Sequence, residues 1–170
     1  MVKIKKEREK IIMKNNKKRN NKGFSLVELI IVIAIMAVLV GVLAPAYLRY
    51  VEKSRKSADI QAIDSIMTAM EVTAMGTEFN MKADDEMQAA FDENGKLTLS
   101  AKAEKKTDIE KELNAVIGSY TTRSVDFKGF TVTGKVLSDG DVQFTISNNA
   151  GGEAVLKYSN FEGRLKASTP

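Results

Sequence analysis

Lys22-Gly23-Phe24-Ser25-Leu26-Val27-Glu28 leads straight into an apolar run, Leu29 to Leu48, that holds twenty residues and no charge. A helix rises ~1.5 Å per residue, so a run of this length spans about 30 Å, the hydrocarbon thickness of a bilayer. Residues 1–23 carry ten Lys/Arg against two acids, a net charge of +8. The far flank carries Arg49, Lys53, Arg55 and Lys56. The heavier basic flank of a membrane helix stays in the cytoplasm. The N-terminus is therefore expected inside and the remainder of the chain outside.

Glu28 is the misplaced residue in this pattern. A carboxylate at the bilayer centre costs roughly 2.5–3.5 kcal/mol on insertion scales. At the head of the helix it can reach the headgroups, and the macrodipole favours it by about 0.3–1 kcal/mol. One reading is a boundary carboxylate that snorkels; the other is an acid retained for a task.

Gly23, Phe24, Leu26 and Glu28, set between a basic leader and an apolar twenty-mer, resemble the prepilin signature of the type IV pilin family. The resemblance covers residues 18–55. It implies a membrane prepilin peptidase cutting between Gly23 and Phe24 on the cytoplasmic side, and N-methylation of the new Phe24 amine. It implies that Glu28 is the assembly residue, pairing with the Phe24 amine of a neighbouring subunit. Opposite charges ~4 Å apart attract by about 4 kcal/mol at an effective dielectric near 20, enough to fix an axial register that apolar contact leaves free to slide. The implied partners are further pilin subunits in a homopolymer, the peptidase and N-methyltransferase, the lipid bilayer before assembly, and an inner-membrane platform with its ATPase. The implied role is a type IV pilus subunit, the major pilin, stored in the cytoplasmic membrane and then displayed as an extracellular filament for adhesion, motility or biofilm. A pseudopilin of a secretion or DNA-uptake system shares the signature. A secretory signal peptide is the main rival, since Ala44-Pro45-Ala46 imitates a small-x-small cleavage site. Against it stand the length of the run and the acid at its head.

Removing residues 1–23 leaves 147 residues, which suits one domain behind an anchor helix. The whole chain is +4, so the cleaved chain would be −4. No basic stripe studded with aromatics is present, and nucleic acid is not an expected partner. There is no His and no Cys. That removes cysteine nucleophiles, histidine-based triads and the commonest metal ligands, and no nucleotide-binding or hydrolase motif occurs. No enzymatic activity and no cofactor are expected. Asp139 and Asp141 could hold Ca²⁺ with backbone carbonyls, or simply form an Asp-Gly turn. A surface domain anchored in the membrane without any assembly role is the reading from another class.

Beyond Arg49, Val51, Ala58, Ile60, Ile63, Ile66, Met67, Met70 and Ala74 recur at helical spacing. One helix is expected from Phe24 to Met75, stopped by Gly76, with Gly41 and Pro45 as a kink where it loosens. Residues 84–91 read as a short helix headed by acids and closed by Asn94-Gly95. Thr107-Asp108-Ile109-Glu110 reads as a capping box, opening a helix that ends at Gly118. Phe130 to Val136, Val142 to Ile146 and Ala154 to Tyr158 alternate as three strands. The expected fold is α+β: a long N-terminal helix packed on a small antiparallel sheet. The expected divisions are a leader (1–23), an apolar half-helix (24–48), an amphipathic half-helix (49–76), a helical and loop insert (77–125), and a sheet with its tail (126–170).

Overall fold

The computed structural model describes residues 23–158 and 163–168; residues 1–22 of the expected leader lie outside them. In chain order the elements are α1 (Leu26–Met75), β1 (Glu86–Phe91), β2 (Leu97–Lys102), α2 (Lys106–Ile117), β3 (Phe130–Val136), β4 (Val142–Ile146), α3 (Ala150–Tyr158) and β5 (Leu165–Ala167). The chain divides after Pro45 into two compact units, and α1 contributes to both.

In the first unit every apolar side chain of α1 is exposed, Ile30, Ile33, Leu39 and Leu43 among them. Helical assignment continues through Gly41 and Pro45. In the second unit the stripe becomes selective. Ile63, Ile66, Met67 and Met70 are buried, while Gln61 and Thr68 face outward. These four join Met87, Phe91, Phe130, Val132, Phe144 and Ile146 in one core. Phe91 and Phe130 stack with ring centroids 4.5 Å apart. The helix therefore lies on the apolar face of the sheet, as its stripe requires.

The sheet has five strands in the order β2-β1-β3-β4-β5. All neighbours are antiparallel except β4 and β5, which are parallel. This corrects the expected three-strand meander: β1, β2 and β5 join it, and the strand expected at residues 154–158 leaves it. Residues 86–91 are a strand, not a helix. Met87, Ala89 and Phe91 bury alternately with half-buried neighbours, and Asn94-Gly95 turns the chain into β2 with Gly95 at φ 80°. The segment 77–125 thus supplies two strands, where a helical and loop insert was expected. Residues 150–158 are a helix, not a strand. The burial of Gly151, Gly152 and Val155 follows helical spacing, and Asn149 Oδ1 accepts the Gly152 amide at 2.9 Å as an N-cap does. Both glycines are sterically required. A Cβ on Gly151 would stand 1.9 Å from the Lys128 carbonyl oxygen, and one on Gly152 would stand 2.0 Å from that of Ser147.

The capping box expected at Thr107-Asp108-Ile109-Glu110 is also corrected. α2 begins at Lys106 with Lys105 as N-cap and no side-chain cap bond. Glu110 instead accepts the backbone N–H of Ala101 at 3.0 Å, and Tyr120 O accepts that of Leu97 at 2.9 Å. Both amides lie on the outer edge of β2. An open strand edge invites pairing with other chains, and these two bonds occupy part of it.

Candidate processing and assembly site

Gly23 and Phe24 lie exposed just ahead of α1, with Phe24 at 79 % of full exposure. Among the described residues, a Cβ added at Gly23 would meet nothing within 4 Å, so no packing contact there calls for glycine at this position.

Ser25 and Glu28 form a local device. The Ser25 amide donates to Glu28 Oε2 at 3.0 Å, and the Leu29 amide donates to Ser25 O at 3.2 Å. This is the glutamate half of a capping box: the acid at the fourth position reaches back to one of the orphan amides of the first turn. Ser25-x-x-Glu28 is legible in the sequence, yet the reading above assigned Glu28 to the bilayer boundary or to a neighbour only. Glu28 is also exposed, so Oε1 remains available to an external cation. The carboxylate is preorganised at the positive end of the helix dipole.

Gly41 and Pro45 sit within α1. Asp139 and Asp141 flank Gly140 in the β3–β4 turn, where Gly140 has φ 89°. The Asp141 amide donates to Asp139 Oδ1 at 3.2 Å, and the Leu137 amide donates to Asp141 O at 2.8 Å. Turn formation accounts for both acids, and among the described residues no three His, Cys, Asp or Glu are grouped to share an ion.

A second carboxylate site went unread in the sequence. Asp59 is fully buried on α1. It accepts the amides of Arg123 (2.9 and 3.0 Å to its two oxygens) and Ser124 (2.7 Å), and the Tyr120 hydroxyl at 2.6 Å. Two turns earlier, Glu52 accepts the Ser124 hydroxyl at 2.7 Å and the Val125 amide at 3.1 Å. Three consecutive amides, 123 to 125, thus point at two helix carboxylates, the concave arrangement that binds anions. The loop between α2 and β3 is clasped to α1. Burial first, and the bond to Asp59 second, push the Tyr120 hydroxyl well above its ordinary value. Beside the clasp, the Lys56 ammonium is held above its ordinary value chiefly by its bond to Asp126, against a smaller opposing effect of burial. The available signal was phase: Glu52 and Asp59 stand seven apart and in step with Ile63, Ile66 and Met70.

Residues 18–44 match the family model of the prokaryotic N-terminal methylation motif. The chain carries this motif, the signal found on precursors of type IV pilins. The matched span runs from the basic residues before Gly23 through Phe24 and Glu28 and into the apolar helix. No curated protein and no solved structure gives a match to the chain.

Proposed function

We propose that the chain is the precursor of a type IV pilus structural subunit, the major pilin, and that it performs no catalysis. The observation that carries this reading is a coincidence of place. The methylation motif (residues 18–44) falls on an exposed glycine–aromatic bond, a first-turn glutamate and a helix whose apolar side chains are uncovered. Such a helix needs a bilayer or other helices around it.

The precursor sits in the cytoplasmic membrane with residues 1–23 inside and the sheet domain outside. Prepilin peptidase cuts between Gly23 and Phe24, and Phe24 is N-methylated. Glu28 pairs with the Phe24 amine of a neighbour as a platform and its ATPase draw subunits into a filament, and Gly41 and Pro45 mark where α1 loosens on assembly. A pseudopilin of a secretion or uptake system would use the same steps, and the presence of Glu28 accords with either.

N-terminal sequencing of the surface form is the deciding experiment. A start at Phe24 is expected, and a start near Tyr47 would sink the proposal in favour of a signal peptide. Gly23→Val is expected to leave the full-length precursor in the membrane. Glu28→Ala is expected to be cleaved normally yet to form no filaments alone; abundant filaments from it would remove Glu28 from assembly.

A further inference from the structure

We propose that the groove between α1 and α2 is a docking site for a second copy of this chain, and that its occupant is the Tyr47–Lys53 face of that copy. This rests on the filament reading above, and it assigns two particular surfaces of the second unit to each other.

Two adjoining cavities of about 320 and 300 Å³ lie along the groove. Ser65, Ala69 and Val116 line both, so they form one trough. On the α1 side its floor is Ala62, Ser65 and Ala69, side chains too short to fill the space beside α2. The Ser65 hydroxyl donates to Gln61 O at 2.9 Å, and the Thr73 hydroxyl donates to Ala69 O at 2.8 Å. These hydroxyls are spent on the helix itself, and the trough offers mainly hydrocarbon. Val72 and Val116 on its walls are 66 % and 61 % exposed. Glu78 and Glu112 stand at one end. Among the described residues neither carboxylate is ion-paired.

The complement of such a trough is an apolar knob beside a cation, and α1 carries one. Tyr47, Tyr50 and Lys53 follow at intervals of three and share a helix face, with Arg49 four residues before Lys53. Tyr47 and Tyr50 are 67 % and 74 % exposed. Among the described residues Arg49 and Lys53 have no ion-pair partner. Tyr50 and Ala69 are nineteen residues apart on one helix, about 28 Å. A chain therefore cannot bring its own tyrosines to its own groove, and the occupant comes from another copy. Two unlike faces meet head to tail, and such a contact propagates as an open filament unless its rotation closes a ring. Two tyrosines bury about 150–250 Å² each, well short of the ~1,200 Å² of a stable complex. The contact is weak between two free copies and acts where copies are already held side by side.

The chain has no cysteine, so paired substitutions make unique cross-linking sites. Tyr50→Cys and Val116→Cys are placed together in the full-length chain, filaments are sheared from cells, and a short bis-maleimide is added. A ladder of dimers, trimers and higher species is expected. Each single variant should stay monomeric, and the two singles assembled together should stop at dimers. Lys53→Cys with Glu112→Cys keeps both tyrosines and should give the same ladder. Lys53→Glu added to the first pair is expected to lower the linked fraction about fivefold, and Glu112→Lys added to that should restore it. Filaments in which neither cysteine pair links would overturn the contact and leave the pilin reading intact. Dimers from Tyr50→Cys alone would overturn the groove as its seat, as would capture of a different protein by Val116→Cys. Linkage indifferent to both charge reversals would overturn the pairing of this face with this groove. A surface form that starts near Tyr47 and builds no filaments would overturn the pilin reading and the contact with it.

Discussion

Asp59→Ala tests the clasp most directly. The substitution leaves the Ser124 amide, which belongs to a fully buried residue, without its acceptor at 2.7 Å. An orphaned buried donor costs about 1–3 kcal/mol. The Tyr120 hydroxyl is half-buried and loses a charge-assisted bond of 2.6 Å, for about 1 kcal/mol more. The Arg123 amide lies near solvent and can turn to water at little cost. The expected loss is about 3 kcal/mol, a large share of the ~5–15 kcal/mol that holds a domain together. For a chain of this size that is a fall of roughly 6–12 °C in midpoint. Urea and thermal unfolding of the full chain in mild detergent, followed by circular dichroism of the sheet, measures it. Glu52→Gln is expected to cost under ~1 kcal/mol, because its site is partly wet. The double variant should be non-additive, since both acids hold Ser124. An Asp59→Ala chain within about 0.5 kcal/mol of the parent would refute the assignment of Asp59 as the loop's anchor.

Other outcomes follow from the same geometry. The Tyr120 hydroxyl is raised from 10.0, so the unfolded chain releases that proton first. Its contribution to stability is complete below pH 10 and declines as pH rises beyond it, and Tyr120→Phe should flatten that decline in urea midpoints taken between about pH 8 and pH 11. Gly151→Ala would ordinarily favour a helix by about 1 kcal/mol. Here a Cβ 1.9 Å from Lys128 O should reverse the sign, with a net loss of about 2 kcal/mol, and a more stable variant would contradict the packing. Arg164 forks between Asp64 at 2.8 Å and Glu71 at 2.9 Å, tying the start of β5 to α1. Arg164→Ala should cost about 1 kcal/mol at low salt and less at high salt, and Arg164→Lys should recover only part of it, because an ammonium cannot bridge two carboxylates as a planar fork does.

The hairpin of β3 and β4 was readable because Val142, Phe144 and Ile146 alternate cleanly and Gly140 sits between two aspartates. The strand at 86–91 was not, because three consecutive acids at 84–86 mimic the first turn of a helix. Asp84 is in fact bound to Lys135 at 2.8 Å on the adjoining strand β3, a partner 51 residues away that no local pattern shows. Ala154, Leu156 and Tyr158 have the period of a strand. The pair Gly151-Gly152 becomes helical because only glycine admits the carbonyls of Lys128 and Ser147 so close.

The N-terminal methylation motif was legible because it is read linearly, as a basic segment, a small residue, an aromatic, an acid and an apolar span in a set order and spacing of sequence; among the described residues the structure adds the Ser25 bond to Glu28. The presence of a long helix needing an apolar cover was equally determined by periodicity. Tertiary structure alone decided what that cover is, five strands in the order β2-β1-β3-β4-β5, and which acids it buries. Asp59 reads as a break in an apolar stripe until residues 120–124, some sixty positions away, bring it a hydroxyl and two amides. A charge is tolerated in a core only when donors converge on it, and convergence is a property of the folded chain.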